Sequence, residues 1–174
     1  MAVAHTGVAH CPGANLKLGS GIADIPRLLA AGVPVGIGAD GPPCNNRLSI
    51  FHEMALAGTI HNLRHGPLAL DPWTVLELAT WRGAEILGLD RVGRLLPGWK
   101  ADITVIAPER LSMEPCGDLS AMIVFGADAS CVRHVIVAGR TVVRDGTLVT
   151  GDVAAIRLEA RSASHAVASR LGWT

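Results

Sequence analysis

The sequence holds no tyrosine and two phenylalanines in 174 residues. Ring platforms on which nucleobases stack are therefore scarce, and no basic run interleaved with aromatics makes up for them. Lys plus Arg equal Asp plus Glu at 15 each, so the chain lacks the electrostatic footprint of a nucleic-acid or anionic-lipid binder. Gly, Pro, Asp, Arg or His interrupts every apolar run well short of the ~20 residues that a spanning helix needs. The opening stretch MAVAHTGVAHCPG has no basic region followed by a long apolar core, so no secretory leader is read there and a cytoplasmic location is the default expectation. The four cysteines (Cys11, Cys44, Cys116 and Cys131) form no C-x-x-C pair, which removes a zinc knuckle or a dithiol redox motif and leaves reduced, structural thiols. There is no G-x-S-x-G and no Walker loop, and GIGADG resembles a dinucleotide loop only superficially.

What is present is apolar. Hydrophobic residues make up 49% of the chain and charged residues 17%, which is apolar for a free-standing soluble domain of this length. Much of the surface is expected to meet a neighbour.

From Gly7 to Ala69, short apolar runs alternate with amphipathic stretches, as in β/α units whose strands are buried on both faces. Val8 to His10 ends a first strand, and CPGANLKLGSG reads as a loop. Residues 22–31 read as a helix, with Pro26 in its first turn and Gly32 after its end. VPVGIGAD is a second buried strand, followed by a helix over 48–63. Asp71 and Pro72 are an N-cap and first helical residue for another helix towards Leu87. After Gly93 the runs RLLPGWKADITVIAP, AMIVFGA, CVRHVIVAG and TVVRDGTLV have β texture with AGR and RDG turns, which predicts an antiparallel sheet. Residues 152–171 read as an amphipathic helix with one buried face.

Asp40 is the leading chemical candidate. A carboxylate directly after a buried strand and before Gly has the position at which barrel enzymes assemble their sites, although Asp-Gly is also an ordinary turn pair. His10 ends the preceding strand and is a candidate substrate contact or a structural imidazole. His5 lies near the chain start, and its spacing to His10 is not that of a zinc pair. His61 and His65 stand at i and i+4, yet without H-E-x-x-H they read as a solvated helix end.

The segment VAHCPGANLKLGSGIADIPRLLAAGVPVGIGADGPPCNN resembles the strand 7 to strand 8 region of the amidohydrolase superfamily, in the branch of methylthioadenosine/S-adenosylhomocysteine, guanine and 8-oxoguanine deaminases and triazine hydrolases. The resemblance rests on His10, Pro12, Asn15, Lys17, Leu18, Ser20, Gly21, Pro26, Leu28, Leu29, Gly32, Val33, Gly38, Asp40 and Gly41 without a gap. Asn45-Asn46 with Phe51, Glu53 and Met54, the stretch GAEILGLDRVGRLLPGWKADITVIAP, and VRHVIVAGRTVVRDG are also similar to that family. Ala39 stands where the family usually has Thr, Gly13-Ala14 where it has a small-Ser pair, and Pro42-Pro43 where it has an Ala- or Ser-rich loop.

The resemblance implies an α/β fold: the last two β/α units of a (β/α)8 metal-dependent hydrolase barrel (1–90), part of a small antiparallel β-sandwich domain (91–150) and a C-terminal helix (151–174). A whole barrel of this kind takes eight strands and roughly 250 residues, so the sequence reads as an end piece. The resemblance also implies that Asp40 binds a divalent metal, zinc or iron, and takes the proton of an attacking water. The family's H-x-H and its other histidines lie on earlier strands, and this sequence has no H-x-H. The expected function is hydrolytic deamination of a purine, nucleoside or related N-heterocycle, with no activity in the isolated chain. The expected partners are a small heterocyclic substrate, a complementing N-terminal portion or a second copy, with neither nucleic acid nor membrane. A non-catalytic truncated chain, or an interaction module docking on a partner polypeptide, is the alternative.

Overall fold

Two short strands position everything else: β1 (Val8–His10) and β2 (Val35–Ile37) pair in parallel, with Val8 opposite Val35 and His10 opposite Ile37. The computed structural model describes residues 6–115 and 117–173, so His5 and Cys116 lie outside the described residues. Side chains alternate across a strand, so this register puts Val8, His10, Val35 and Ile37 on one face and Ala9 and Gly36 on the other. The large side chains meet a core made by Ile25, Val35, Met54, Leu70, Val75, Leu78 and Val124.

Between the strands lie α1 (Pro12–Leu18) and α2 (Ile25–Ala30). α1 corrects the expectation of a loop over residues 11–21. Pro12 suits a first helical turn, and Gly19 ends the helix in the left-handed conformation at φ 65°. Asp24 caps α2 by accepting from the Arg27 N–H. After β2 come α3 (Ile50–Ile60), α4 (Asn62–His65), α5 (Pro72–Ala79) and α6 (Trp81–Ile86). Asp71 caps α5 as expected, but the single helix predicted towards Leu87 is broken at Thr80 (φ −123°, ψ −105°).

α6 lies against the small-residue face of the strand pair. A Cβ on Gly36 would sit 2.8 Å from Gly83 Cα, and one on Gly7 would sit 2.8 Å from Ile86 Cβ. The glycines are what let helix and strands come this close.

The second half forms an antiparallel sheet in the order β3 (Ile103–Ile106), β4 (Val132–Val137), β5 (Arg140–Arg144), β6 (Thr147–Leu148). Its two tight turns carry positive φ at Ala138-Gly139 and Asp145-Gly146, where the AGR and RDG signals stood. AMIVFGA is not a strand. Asp118 caps a short helix, α7 (Leu119–Ala121), which continues as a π-helical turn over Met122–Gly126 and delivers Val124, fully buried, into the core beside α3. The β-prone residues were selected here for burial rather than for pairing.

α8 (Val153–Arg170) is capped by Asp152, which accepts from the N–H groups of Ala154 and Ala155. The helix is where the sequence placed it, but it has no buried residue, so the buried face expected of it is not formed within the described chain.

Gly36→Ala is expected to force α6 away from β2 and to lower stability by about 2 kcal/mol, the usual scale of overpacking. A lowered urea midpoint with an unchanged slope would show this, and an unchanged midpoint would mean that the close approach is not required.

Candidate functional site

β2 runs on through Gly38 and Ala39 to Asp40. The Gly38 N–H donates to His10 O at 2.9 Å, which extends the strand pairing to within two residues of the carboxylate. Asp40 itself has φ 61°, a left-handed conformation that Asp tolerates better than most side chains. Its Oδ1 accepts the Gly41 N–H at 2.6 Å, which leaves Oδ2 as the oxygen for a proton or ligand. The residue is exposed.

The loop after Asp40 folds back on itself, with the N–H groups of Cys44 and Asn45 donating to Gly41 O at 3.0 and 2.9 Å. Its inner end is fastened by Glu53, a fully buried carboxylate on α3. Glu53 Oε1 accepts from Asn45 Nδ2 at 2.7 Å, and Oε2 accepts the Gly13 N–H at 2.8 Å. Glu53 therefore caps the start of α1 from another helix, satisfying one of the donors that a helix N-terminus leaves free. Gly13 admits this close approach, because a Cβ there would collide with Glu53 Oε1 unless the buried carboxylate moved off its two donors. In the sequence, Glu53 and Asn45 stand out only as parts of a motif. The joint that they form across forty residues has no local signal.

Cys11 shares the Asp40 face: its Sγ lies 3.1 Å from where a Cβ on Gly38 would stand. Burial raises the pKa of the thiol, and the negative charges of Asp40 and Glu53 push the same way. Cys11 is thus kept as a thiol and is a poor nucleophile at neutral pH.

His10 faces the opposite way. Its side chain is 2% exposed and packs against His61, itself 4% exposed, with ring centroids 5.4 Å apart. The Nε2 atom of each ring has no hydrogen-bond partner among the described residues. Burial, and then the neighbouring charge of His61, lower the pKa of His10 to about 4. The pKa of His61 is also lowered, by burial first and by the charges of His65 and Arg64, while Asp24 opposes. The structure therefore puts the two sequence candidates on different faces, with Asp40 at the open end and His10 buried in the helix layer beside His61. His61 is likewise no solvated helix end; His65 is the one that reaches an acid, with Nε2 2.8 Å from Asp24 Oδ1.

Among the described residues no group of three or more His, Cys, Asp or Glu side chains could hold a metal ion. A catalytic zinc takes about three protein ligands besides water, so Asp40 with a protonated thiol beside it does not constitute such a site.

A parallel strand pair with a carboxylate at its C-terminal end, backed by helices and followed by an antiparallel sheet, is an α/β arrangement of the kind that places chemistry at strand ends. The model of the amidohydrolase family matches residues 2–142, and the chain belongs to that family. It is 41% identical to a 5-methylthioadenosine/S-adenosylhomocysteine deaminase of Haloarcula marismortui over 168 residues, 96% of this chain and 39% of that protein. A deaminase of the same name from Pelotomaculum thermopropionicum is 40% identical over 94% of this chain and 38% of its own length. Among solved structures, a zinc-bound adenosine deaminase from Xanthomonas campestris superposes with a TM-score of 0.91 at 32% identity, covering 94% of this chain and 38% of that one. An atrazine chlorohydrolase from Arthrobacter aurescens complexed with zinc gives 0.84 at 26% identity over 92% of this chain and 36% of its own. The chain thus spans less than two fifths of the length of these relatives. No helix among the described residues is long and apolar enough to cross a membrane.

The buried neutral His10 makes stability depend on pH with a definite sign. Below the ordinary imidazole pKa of 6.5 the unfolded chain takes a proton that the folded chain refuses until about pH 4, so acidification favours unfolding. The expected loss between those values is about 3 kcal/mol for this group. Urea titrations at pH 7.5 and 4.5 should show a smaller pH dependence in His10→Gln than in wild type, and equal dependence would refute the assignment.

Proposed function

We propose that this chain carries the last two β/α units of a (β/α)8 amidohydrolase barrel, over 1–90, with part of its β-sandwich domain over 91–150 and the helix of 151–174. In this reading it is the C-terminal part of a machine that hydrolyses a C–N bond of a purine, nucleoside or related N-heterocycle. The observation that carries the reading is Asp40: a carboxylate at the C-terminal end of a parallel strand, with one oxygen pinned by Gly41 and the other free. The names of the relatives, deaminases of purine nucleosides, support the substrate class.

Asp40 is the group assigned to hold and pass on a proton at Oδ2 and to serve as one ligand of a divalent metal, zinc by the example of the solved relatives and iron as its substitute. The remaining ligands are not among the described residues, so the metal belongs to a completed site that also includes the earlier strands. Those strands would pair along the free edges of β1 and β2 and so enclose the Asp40 face. It is lined by Ala9, Cys11 and Gly38, whose small side chains leave room for a substrate.

The second reading is a non-catalytic module that docks on another polypeptide. What favours it is the bare α8, which exposes Val153, Ile156, Leu158 and Val167. Co-expression with the part of the Haloarcula marismortui relative that precedes the matched segment separates the two. The expected result is zinc-dependent release of ammonia from an adenosine-type substrate by the pair, falling about a hundredfold or more in Asp40→Asn. The zinc-loaded isolated chain should show none. A stable pair without turnover supports the docking module, and turnover by the isolated chain overturns both.

A further inference from the structure

The loop after Asp40 is held from outside by one cation. Lys17, in the last turn of α1, donates from Nζ to Pro43 O at 2.7 Å and to Asn46 Oδ1 at 2.6 Å. Two of the three ammonium N–H bonds are thus directed at one loop, and a charged donor makes such bonds about twice as strong as neutral ones. On the buried side the loop is held by Glu53 through Asn45. Pro42 and Pro43 carry no N–H, and its internal bonds are the two that reach Gly41 O, the two from Arg47 and Leu48 N–H to Asn45 Oδ1, and the Gly41 N–H on Asp40 Oδ1.

Those bonds form a continuous path. Lys17 fixes Pro43 and Asn46; the adjoining Cys44 and Asn45 close on Gly41; Gly41 closes on the Asp40 carboxylate. Glu53 pins Asn45 from the buried side, so the loop lies between two anchors on different helices. Asp40 needs this, because a non-glycine residue at φ 61° keeps that conformation only where its surroundings over-determine it.

We propose that Lys17 is a positioning residue for Asp40: its ammonium group, bridging Pro43 O and Asn46 Oδ1, locks the loop of residues 41–46 and through Gly41 sets the orientation of the carboxylate. The functional meaning of this rests on Asp40 being the working carboxylate, while the geometry does not. Lys17 is exposed and adds nothing to the core, so it is a residue whose loss the fold survives. Arginine offers more than one N–H to the same two acceptors, whereas methionine keeps an unbranched stem and removes every donor.

The test is backbone ¹⁵N relaxation and amide exchange on the whole chain, with Lys17→Met, Lys17→Arg and Asn46→Ala beside the wild type. In the wild type the Gly41, Cys44 and Asn45 amides should be rigid, with order parameters near about 0.85. Lys17→Met should drop them below about 0.6 and speed Gly41 exchange about tenfold, while β4 and α5 amides stay unchanged. Asn46→Ala should move the same amides by a smaller amount, and Lys17→Arg should restore them. Wild-type values in Lys17→Met, or a uniform change that reaches β4 and α5, would overturn the proposal. None of these readings needs a metal or turnover. If Asp40→Asn leaves the activity of the complemented pair untouched, the catalytic reading falls and the loop measurement stands by itself.

Discussion

The structure depends on one register. Because β1 and β2 run parallel with Val8 on Val35 and His10 on Ile37, every odd-even choice in the two strands is made together. One face receives the branched and aromatic-ring side chains and becomes the floor on which α2, α3 and α5 pack. The other is left with glycine, alanine, cysteine and aspartate, which helix α6 approaches closely at one end and which stays open at the other. A slip by a single residue would bring His10 to the open face and hide its neighbours, so the placement of both candidate residues follows from packing and not from their chemistry.

That division also separates the electrostatics. On the buried face, burial lowers the pKa of both imidazoles, and the charge of His61 further disfavours charging His10. On the open face the carboxylate faces solvent, while the thiol beside it is denied its anion by burial and by negative neighbours. Membership in the amidohydrolase family is secured by the sequence and by the superposition with its zinc-bound members.

Much of this was legible in the residues. The strand pair, the cap at Asp71, the two tight turns of the sheet and the family resemblance all rest on short-range signals: proline and glycine at helix ends, alternation, and a gap-free motif. What escaped has a common cause. α1 is written in turn-forming residues and reads locally as a loop, because its N-terminus is satisfied by Glu53 from forty residues away. MIVFG reads as a strand, yet the core needed Val124 beside α3, and a π-helical turn delivers it. His61 looked solvated because its partner His10 is contributed by a strand fifty-one residues earlier. Local pattern reports local satisfaction, and each of these elements is satisfied at a distance.

α8 gives the molecule a second, weaker cooperative unit. Eighteen residues long, with its first turn capped but no side chain buried, it is held in shape by backbone bonds and intrinsic propensity, which leave an isolated helix of that length only marginally stable in water. Heating should unwind it well before the strand pair and its helices come apart, so ellipticity and tertiary-packing probes will report different midpoints for the same chain. A single melting temperature then describes neither unit, and the gap between the two curves measures how much of the helix a neighbouring surface would have to cover to make the chain unfold as one.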